Sequence, residues 1–228
     1  EDYAQMKKMG CKNVYHINGV GVDTSRYHEC QIDREIYRKS LGLSENDIAI
    51  LEVGELSTRK NHKVIIDALE KLADQRYVFL ICGKAMSNLG TYDFLKKYAE
   101  EKKVRVIFLG FRKDIPEINR CADIAVLPSL REGLGLAGIE ALASGVPVVG
   151  SDVQGIKDYV VDGETGYLCA PNDADAFAEK IKLLSDREVR FSMQKACVKK
   201  AEEFRLEISH QQMTDIYKNL LSGQEKSK

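Results

Sequence analysis

Short apolar runs alternate with amphipathic helical patterns through the middle of the chain, and this alternation limits the fold more than any other feature of the sequence. The runs are apolar on both faces, as strands buried between two layers of helices are. Strands that alternate with helices form right-handed β-α-β crossovers and a parallel sheet. The predicted fold class is therefore α/β, a Rossmann-like doubly wound parallel sheet with helices on both faces. Strands are predicted at residues 48–53, 77–82, 104–109, 124–127 and 146–150.

Helical patterns separate these strands and dominate the C-terminal part of the chain. After Pro171, three successive helices are predicted from the helical period and from the capping residues at the start of the first. Residues 13–17 are β-prone and lead into a turn-rich connector at residues 18–23. The predicted helices cover residues 62–73, 92–102, 115–121, 173–185, 188–204 and 207–221.

Composition and charge exclude several classes of protein. The sequence holds 34 basic and 35 acidic residues, so its formal charge of −1 provides no general attraction for nucleic acid or an acidic membrane. Its six cysteines are scattered without a C-x-x-C pair, which is typical of reduced, packing cysteines in a cytoplasmic protein. No apolar run approaches the roughly 20 residues that span a bilayer. The chain begins as if within a helix, and we expect it to be a piece of a longer protein.

Four loops that follow predicted strands contain glycine or charged residues. In an open parallel sheet, ligands bind beyond the carboxyl ends of the strands, where these loops converge. Glycine lets backbone amides approach a ligand, and the first turn of the next helix carries partial positive charge. One such loop would indicate only a tight turn, but four at one edge favour a phosphate site. The loops are residues 54–61, 83–85, 110–113 and 128–136.

Two acidic residues flank the last of these loops. Seven residues separate Glu132 from Glu140, and a helix is predicted to begin near Leu136. Glu140 then lies about 6 Å further along the helix axis, at 1.5 Å per residue. The amides of residues 133–136 lie between the two carboxylates, an order that matches sugar, diphosphate and ribose. For an arbitrary pair of acids, a capping residue and an exposed helix residue would be the ordinary interpretation.

The run REGLGLAGIEALASGVPVV at residues 131–149 resembles the signature of glycosyltransferase family 4, whose members are retaining enzymes with the GT-B fold. The resemblance extends to the connector at residues 18–23, to Gly155 and to the segment DGETGYL at residues 162–168. It covers the chain from about residue 13 to residue 185. It implies that this chain is the C-terminal, donor-binding domain of such an enzyme, of the group 1 glycosyl transferase type.

The resemblance also assigns roles to residues of the four loops. Glu132 would be the catalytic residue, facing the donor sugar near its reacting carbon, and Glu140 would bind the ribose hydroxyls. Lys60 would stabilise the charge that grows on the leaving diphosphate. One position that is often arginine in the family is Glu55 here, and Arg59 is a candidate to replace that arginine. The remaining donor-binding residues are Gly54 and Gly83, then Gly110, Phe111 and Arg112 beside the base, and Gly133, Leu134, Gly135 and Leu136 at the diphosphate.

Three basic residues surround the start of the helix predicted at residues 62–73. They are Arg59, Lys60 and Lys63, and positive charge is slightly unfavourable at that end of a helix. A solvated basic helix start is the ordinary interpretation of the three. A bound anion would explain why they lie there.

The function that the resemblance implies is transfer of a sugar from a nucleotide diphosphate sugar to a glycan or lipid-linked acceptor, in polysaccharide biosynthesis. UDP is favoured as the donor nucleotide because it is the commonest in the family, and no cofactor or dedicated metal is expected. Because an N-terminal domain would hold most of the acceptor site, we expect this chain alone to bind a donor weakly and to transfer nothing. The full-length protein is expected in the cytoplasm, as a peripheral protein at the inner face of the membrane.

The same resemblance predicts how the chain is divided. Residues 1–23 would be the end of the N-terminal domain and the interdomain connector, and residues 24–205 would be the nucleotide-sugar-binding domain. Residues 206–228 would form a helix that returns toward the N-terminal domain, followed by a frayed tail. Apolar side chains of this helix are expected to be exposed, namely Tyr217, Leu220 and Leu221.

Three alternatives use a similar fold. Gly133, Gly135 and Gly138 also match a dinucleotide-binding fingerprint, and Asp152 lies nineteen positions after Gly133, which would suit an NAD-binding oxidoreductase domain. That fingerprint normally follows the first strand directly, whereas this one follows the fourth strand after an intervening segment. A non-catalytic nucleotide-binding module and a nucleotide-sugar epimerase are also compatible with the sequence.

Overall fold

The computed structural model describes residues 2–11, 13–85 and 90–225. The chain divides into two compact units, one of residues 24–202 and one of residues 1–23 together with 203–228. The larger unit holds all the strands of the sheet, and the smaller unit holds the first and the last helix.

The larger unit is built around a six-stranded sheet. All strand pairs are parallel, and the order is β3-β2-β1-β4-β5-β6, so the chain winds outward in both directions from the β1–β4 pair. This topology confirms the predicted Rossmann-like doubly wound fold. The strands are β1 Ile48–Val53, β2 Tyr77–Cys82, β3 Arg105–Gly110, β4 Ile124–Leu127, β5 Val148–Ser151 and β6 Gly166–Cys169.

Helices cover both faces of this sheet, and the strands between them are apolar for that reason. Every residue of β2 and β4 is buried, as is all of β1 except its last residue. The helices of the larger unit are α2 Thr24–His28, α3 Arg34–Ser40, α4 His62–Leu72, α5 Thr91–Lys102, α6 Ile115–Cys121, α7 Leu136–Ala143, α8 Ala174–Leu184 and α9 Arg187–Glu202. The smaller unit holds α1 Asp2–Lys8 and α10 Leu206–Glu225.

The structure differs from the sequence analysis in three places. Residues 13–17 form no strand, although Val22 of the connector makes one isolated bridge to Arg205. The short helices α2 and α3 were not predicted. Strand β6 was also missed, because Gly166 reads as a turn residue, yet here a Cβ on Gly166 would lie 1.8 Å from the carbonyl oxygen of Val148. Glycine at that position lets β6 pair closely with β5.

In the smaller unit, the connector packs along the start of α10. Val22 donates a backbone hydrogen bond to Phe204 (2.9 Å) and accepts one from Leu206 (3.0 Å). On α10, Tyr217 and Leu221 are exposed, as expected, and Leu220 is partly buried. No helix among the described residues is long and apolar enough to cross a membrane.

Candidate functional site

The loops after β1 and β2 are in close contact at the carboxyl ends of the strands. A Cβ on Gly83 would lie 1.7 Å from the carbonyl oxygen of Gly54, and the amide of Leu56 donates to the carbonyl oxygen of Lys84 at 3.0 Å. Only glycine at residue 83 permits this approach. The two loops therefore form one rigid wall at the carboxyl edge of the sheet.

A cavity of about 510 Å³ opens beside this wall. It lies at the carboxyl edge, where doubly wound sheets bind their ligands. Five of the predicted site residues line it, whereas the predicted catalytic residue Glu132 does not, nor do Gly110, Arg59, Lys60 and residues 133–136. The lining residues are Val53, Gly54, Glu55, Cys82, Gly83, Lys84, Ala85, Phe111, Arg112, Ile115 and Glu140.

One end of the cavity carries an aromatic ring and a fixed guanidinium. Phe111 is 61% exposed, and the ammonium of Lys84 lies 5.1 Å from the centre of its ring. Arg112 is held by Asp114 (Nε to Oδ1 2.8 Å), which also accepts a hydrogen bond from Tyr37. Burial and that hydrogen bond raise the pKa of Tyr37 to about 12. A planar base could stack on the exposed ring, because every base has an apolar face.

Glu140 lies on the second turn of α7 and lines the same cavity. Burial raises the pKa of this carboxyl, while a hydrogen bond from Tyr27 and the charge of Arg26 oppose the rise. A half-buried carboxylate of this kind can accept hydrogen bonds from neighbouring hydroxyl groups of a ligand.

Glu132 is the centre of an ion-pair cluster. Its Oε2 lies 2.8 Å from the Nζ of Lys60, 3.3 Å from the Nη1 of Arg59 and 3.3 Å from the Oγ of Ser129. Only 12% of the Glu132 side chain and 11% of the Lys60 side chain are exposed. Burial opposes ionisation of Glu132, but the hydrogen bond and charge of Lys60, with the charge of Arg59, hold its pKa below the ordinary value.

Arg59 joins this cluster to the cavity. Its Nη2 lies 3.1 Å from Oε1 of Glu55, which lines the cavity, and its Nη1 contacts Glu132. The two acids and two bases of the cluster, Glu55, Arg59, Lys60 and Glu132, are jointly neutral. The basic residues at the start of α4 therefore have acidic partners within the chain, and Lys63 likewise pairs with Asp67 at 2.6 Å. The placement of these bases does not require a bound anion.

The loop before α7 carries the predicted diphosphate-binding amides. Gly135 is the N-cap of α7 and has left-handed backbone angles (φ 73, ψ 60). Within the described chain, no side chain caps this helix and its first turn holds no acidic residue. A Cβ on Gly133 would meet no described heavy atom within 4 Å, so this residue borders open space. A helix that begins at Leu136, as predicted, thus presents an uncapped positive end at the carboxyl edge.

Sequence reasoning missed several residues around the site. Glu52 and His62 are both fully buried, with Oε1 and Nε2 3.4 Å apart, beneath the cluster around Glu132. Tyr159 is buried against the loop before α7. No local sequence pattern signalled these contacts, because they depend on packing between distant parts of the chain. The glutamate within an apolar strand was the one visible anomaly.

Comparison with known proteins assigns the family. Residues 33–204 match the model of the family Glycosyl transferases group 1. The chain is 32% identical over 236 residues to EpsD of Bacillus subtilis, to which a glycosyltransferase role is attributed, and 35% identical over 213 residues to the D-inositol 3-phosphate glycosyltransferase of Corynebacterium aurimucosum. These alignments cover 100% and 89% of this chain but only 61% and 50% of the two relatives. The chain belongs to the group 1 glycosyl transferase family.

Solved structures support the fold. HepE of Anabaena, crystallised with UDP, matches 87% of this chain with a TM-score of 0.82 at 25% identity, over 56% of its own length. The C-terminal domain of the group 1 protein LpcC from Francisella tularensis matches 80% of this chain over 97% of its own length, with a TM-score of 0.70 at 24% identity. This chain therefore has the fold of the C-terminal domain of a GT-B glycosyltransferase.

Proposed function

We propose that this chain is the donor-binding domain of a retaining glycosyltransferase that uses a nucleotide diphosphate sugar, with UDP as the nucleotide. The observation that carries the proposal is the cavity at the carboxyl edge, which holds Glu140 and adjoins the cluster of Glu132, Lys60 and Arg59. HepE, a neighbour in fold, has been crystallised with UDP and with UDP-glucose.

In this proposal the donor lies along the carboxyl edge with its base in the cavity. The base stacks near Phe111, and the ribose hydroxyls donate to Glu140. The diphosphate then reaches the amides of residues 133–136 and the positive end of α7, which favour an anion. Lys60 adds a charge-assisted contact, typically worth about 1.5–3 kcal/mol.

The cluster around Glu132 supplies the charges that sugar transfer needs. As the glycosidic bond breaks, negative charge grows on the diphosphate and positive charge grows on the sugar ring. Lys60 and the α7 amides stabilise the first, and Glu132, kept ionised by its basic neighbours, stabilises the second. For transfer with retention, the leaving phosphate would take the proton of the attacking acceptor hydroxyl. The positive charge comes from the chain itself, so the proposal needs no dedicated metal.

We place the glycan or lipid-linked acceptor on a separate N-terminal domain, since this chain spans only 61% and 50% of the two relatives. This chain alone should then bind donor but transfer nothing. If the chain is joined to such a domain, donor hydrolysis should become measurable and the Glu132→Ala variant should abolish it. Hydrolysis that is absent from the joined protein, with UDP still bound, would favour a non-catalytic nucleotide-binding module.

Thermal unfolding with a panel of nucleotides tests the binding proposal. At a hundredfold excess over its dissociation constant, UDP should add about 2.7 kcal/mol of stability and raise Tm by about 5 to 11 °C. GDP and ADP report the choice of base, and NADH tests the oxidoreductase alternative. No response to any nucleoside diphosphate would overturn the proposal, and stabilisation by NADH alone would favour an oxidoreductase domain.

A further inference from the structure

The segment after β5 lies directly behind the loop that precedes α7. Tyr159 is fully buried, and its hydroxyl donates a hydrogen bond to the carbonyl oxygen of Gly135 at 3.0 Å. Four residues earlier, a Cβ on Gly155 would lie 2.4 Å from the carbonyl oxygen of Gly133. Residues 155–159 therefore support the loop from below at two points.

Two glycines, one in the loop and one in the first turn of α7, fit closely against Tyr159. A Cβ on Gly138 would lie 2.3 Å from the hydroxyl oxygen of Tyr159, and a Cβ on Gly135 would lie 2.9 Å from it. Real Cβ atoms do not approach other atoms so closely, so both positions need glycine because of Tyr159. Gly133 differs, because its Cβ would face open space. Gly135 in the loop and Gly138 in α7 thus serve the packing against Tyr159, and Gly133 faces outward.

The hydrogen bond from Tyr159 acts on the peptide that begins α7. Because a peptide unit is planar, fixing the carbonyl of Gly135 also fixes the direction of the N–H of Leu136. The same oxygen accepts a bond from the amide of Gly138 at 2.9 Å, so both of its lone pairs are used. A glycine with left-handed backbone angles has wide conformational freedom, and an outside contact is needed to hold one orientation.

We propose that Tyr159 is a positioning residue for the donor diphosphate, because its hydroxyl holds the peptide between Gly135 and Leu136 with the N–H toward the ligand. The inference rests on the proposed function and extends it to a residue outside the ligand site. Burial, with the charges of Glu132 and Asp158, raises the pKa of Tyr159, so the hydroxyl stays a neutral donor.

Isothermal titration of the chain with UDP and with uridine tests the proposal on the Tyr159→Phe variant. The change removes one hydroxyl and keeps the ring against Gly138. UDP affinity should fall about three- to tenfold, the effect of losing one hydrogen bond, while uridine affinity should not change. Tyr77→Phe is the matched control, because Tyr77 is also buried but begins β2 at the opposite edge of the sheet. Equal UDP affinity in Tyr159→Phe and wild type, or equal losses for UDP and uridine, would overturn the proposal.

Amide hydrogen exchange separates this inference from the proposed function. In Tyr159→Phe, residues 133–138 should exchange faster than in wild type and in Tyr77→Phe, without any ligand present. If wild type binds no UDP, the proposed function fails, and the donor role of Tyr159 fails with it. If wild type binds UDP but exchange at residues 133–138 is unchanged in Tyr159→Phe, only the positioning role is refuted.

Discussion

The two edges of the sheet carry cavities of the same volume, about 510 Å³ each, yet their chemistry differs. The cavity at the amino ends of the strands is lined by five arginines. Four of them, Arg34, Arg38, Arg120 and Arg190, have acidic or carbonyl partners. Asp123 alone pairs with Arg34 (2.9 Å), Arg38 (3.1 Å) and Arg190 (3.3 Å). At the carboxyl edge, α7 begins without a side-chain cap and Gly133 borders open space.

The direction of the helices explains the difference. Helices that connect parallel strands end at the amino edge, so their partly negative carbonyl ends gather there. Arg38 donates to the carbonyl oxygen of Cys121 at the end of α6, Arg120 to Ser144 after α7 and Arg190 to Leu184 at the end of α8. These three arginines therefore stabilise the folded chain through partners within it, and no bound anion is needed to explain their position. Neither cavity volume nor arginine content distinguishes the two edges, whereas the uncapped start of α7 does.

Removing Asp123 should produce the largest effect on stability and none on binding. The Asp123→Ala variant leaves three guanidinium groups without their carboxylate and the amide of Ala49 without its acceptor. A buried ion pair broken on one side typically lowers the free energy of unfolding by about 3–5 kcal/mol. Urea unfolding measures this loss, and UDP titration should give the wild-type affinity.

Asp175→Ala is the control for that variant, because Asp175 is exposed and pairs with Lys71. It should change stability by under about 0.5 kcal/mol. If Asp123→Ala fails to fold, the milder Asp123→Asn replaces it. A loss of UDP affinity with unchanged stability would reverse the roles assigned to the two edges.

Removing Lys60 should weaken donor binding, which removing Asp123 should not. In Lys60→Ala, the proposed diphosphate loses one charge-assisted contact, so UDP affinity should fall about tenfold to 150-fold, equivalent to 1.5–3 kcal/mol. Lys63→Ala is the matched control, since Lys63 begins the same helix but pairs with Asp67. Isothermal titration measures both. Equal affinities in the two variants would remove Lys60 from the donor site.

Part of this contrast between the edges was visible in the sequence. Five strands, the glycine-bearing loops and the start of α7 follow from short-range periodicity and turn residues. The cluster itself was out of reach, because Lys60 and Glu132 are 72 positions apart and their distance depends on the packing of two loops. Tyr159 could not be predicted either, since its contact with Gly135 spans 24 positions, and strand β6 was missed because Gly166 reads as a turn residue.

The pH dependence of stability should show that the buried side chain of Glu52 is neutral in the folded chain. Burial raises the pKa of Glu52 well above its ordinary value, so the folded chain keeps a proton that the unfolded chain releases near pH 4.5. Stability from this group is therefore lost as pH rises above about 4.5. Burial, with the charge of Lys60, lowers the pKa of His62 from 6.5 to about 4, so its contribution is lost as pH falls through that range.

Between about pH 4.5 and 6.5, the contributions of Glu52 and His62 to the pH dependence of the free energy of unfolding have opposite signs and cancel. The Glu52→Gln variant removes only the contribution of Glu52. The difference in free energy of unfolding, wild type minus Glu52→Gln, should fall as pH rises above about 4.5, because only the wild type loses the contribution of Glu52. Urea unfolding at several pH values measures it. Glu70→Gln, an exposed acid paired with Lys102, should show no such slope. A difference that does not vary with pH would mean that Glu52 is ionised in the folded chain.

The smallest expected effect concerns Glu55, which competes for Arg59. Their side chains are 39% and 40% exposed, so the ion pair is weak. In Glu55→Gln, Arg59 is freed toward the diphosphate, and UDP affinity should rise about two- to fivefold. Glu35→Gln, which breaks an exposed pair with Lys39 on α3, should leave affinity unchanged. A fall in affinity on removing Glu55 would show that its carboxylate helps to bind the donor.

Titration of the ¹⁵N-labelled chain with UDP, followed by amide NMR, tests the contrast between the two edges most directly. The account predicts saturable shifts for the amides of Gly133, Gly135 and Leu136 and for Lys60, and none for Asp123 or Ser144 at the amino edge. Shifts confined to the amino edge, or no saturable shift at either edge, would contradict it.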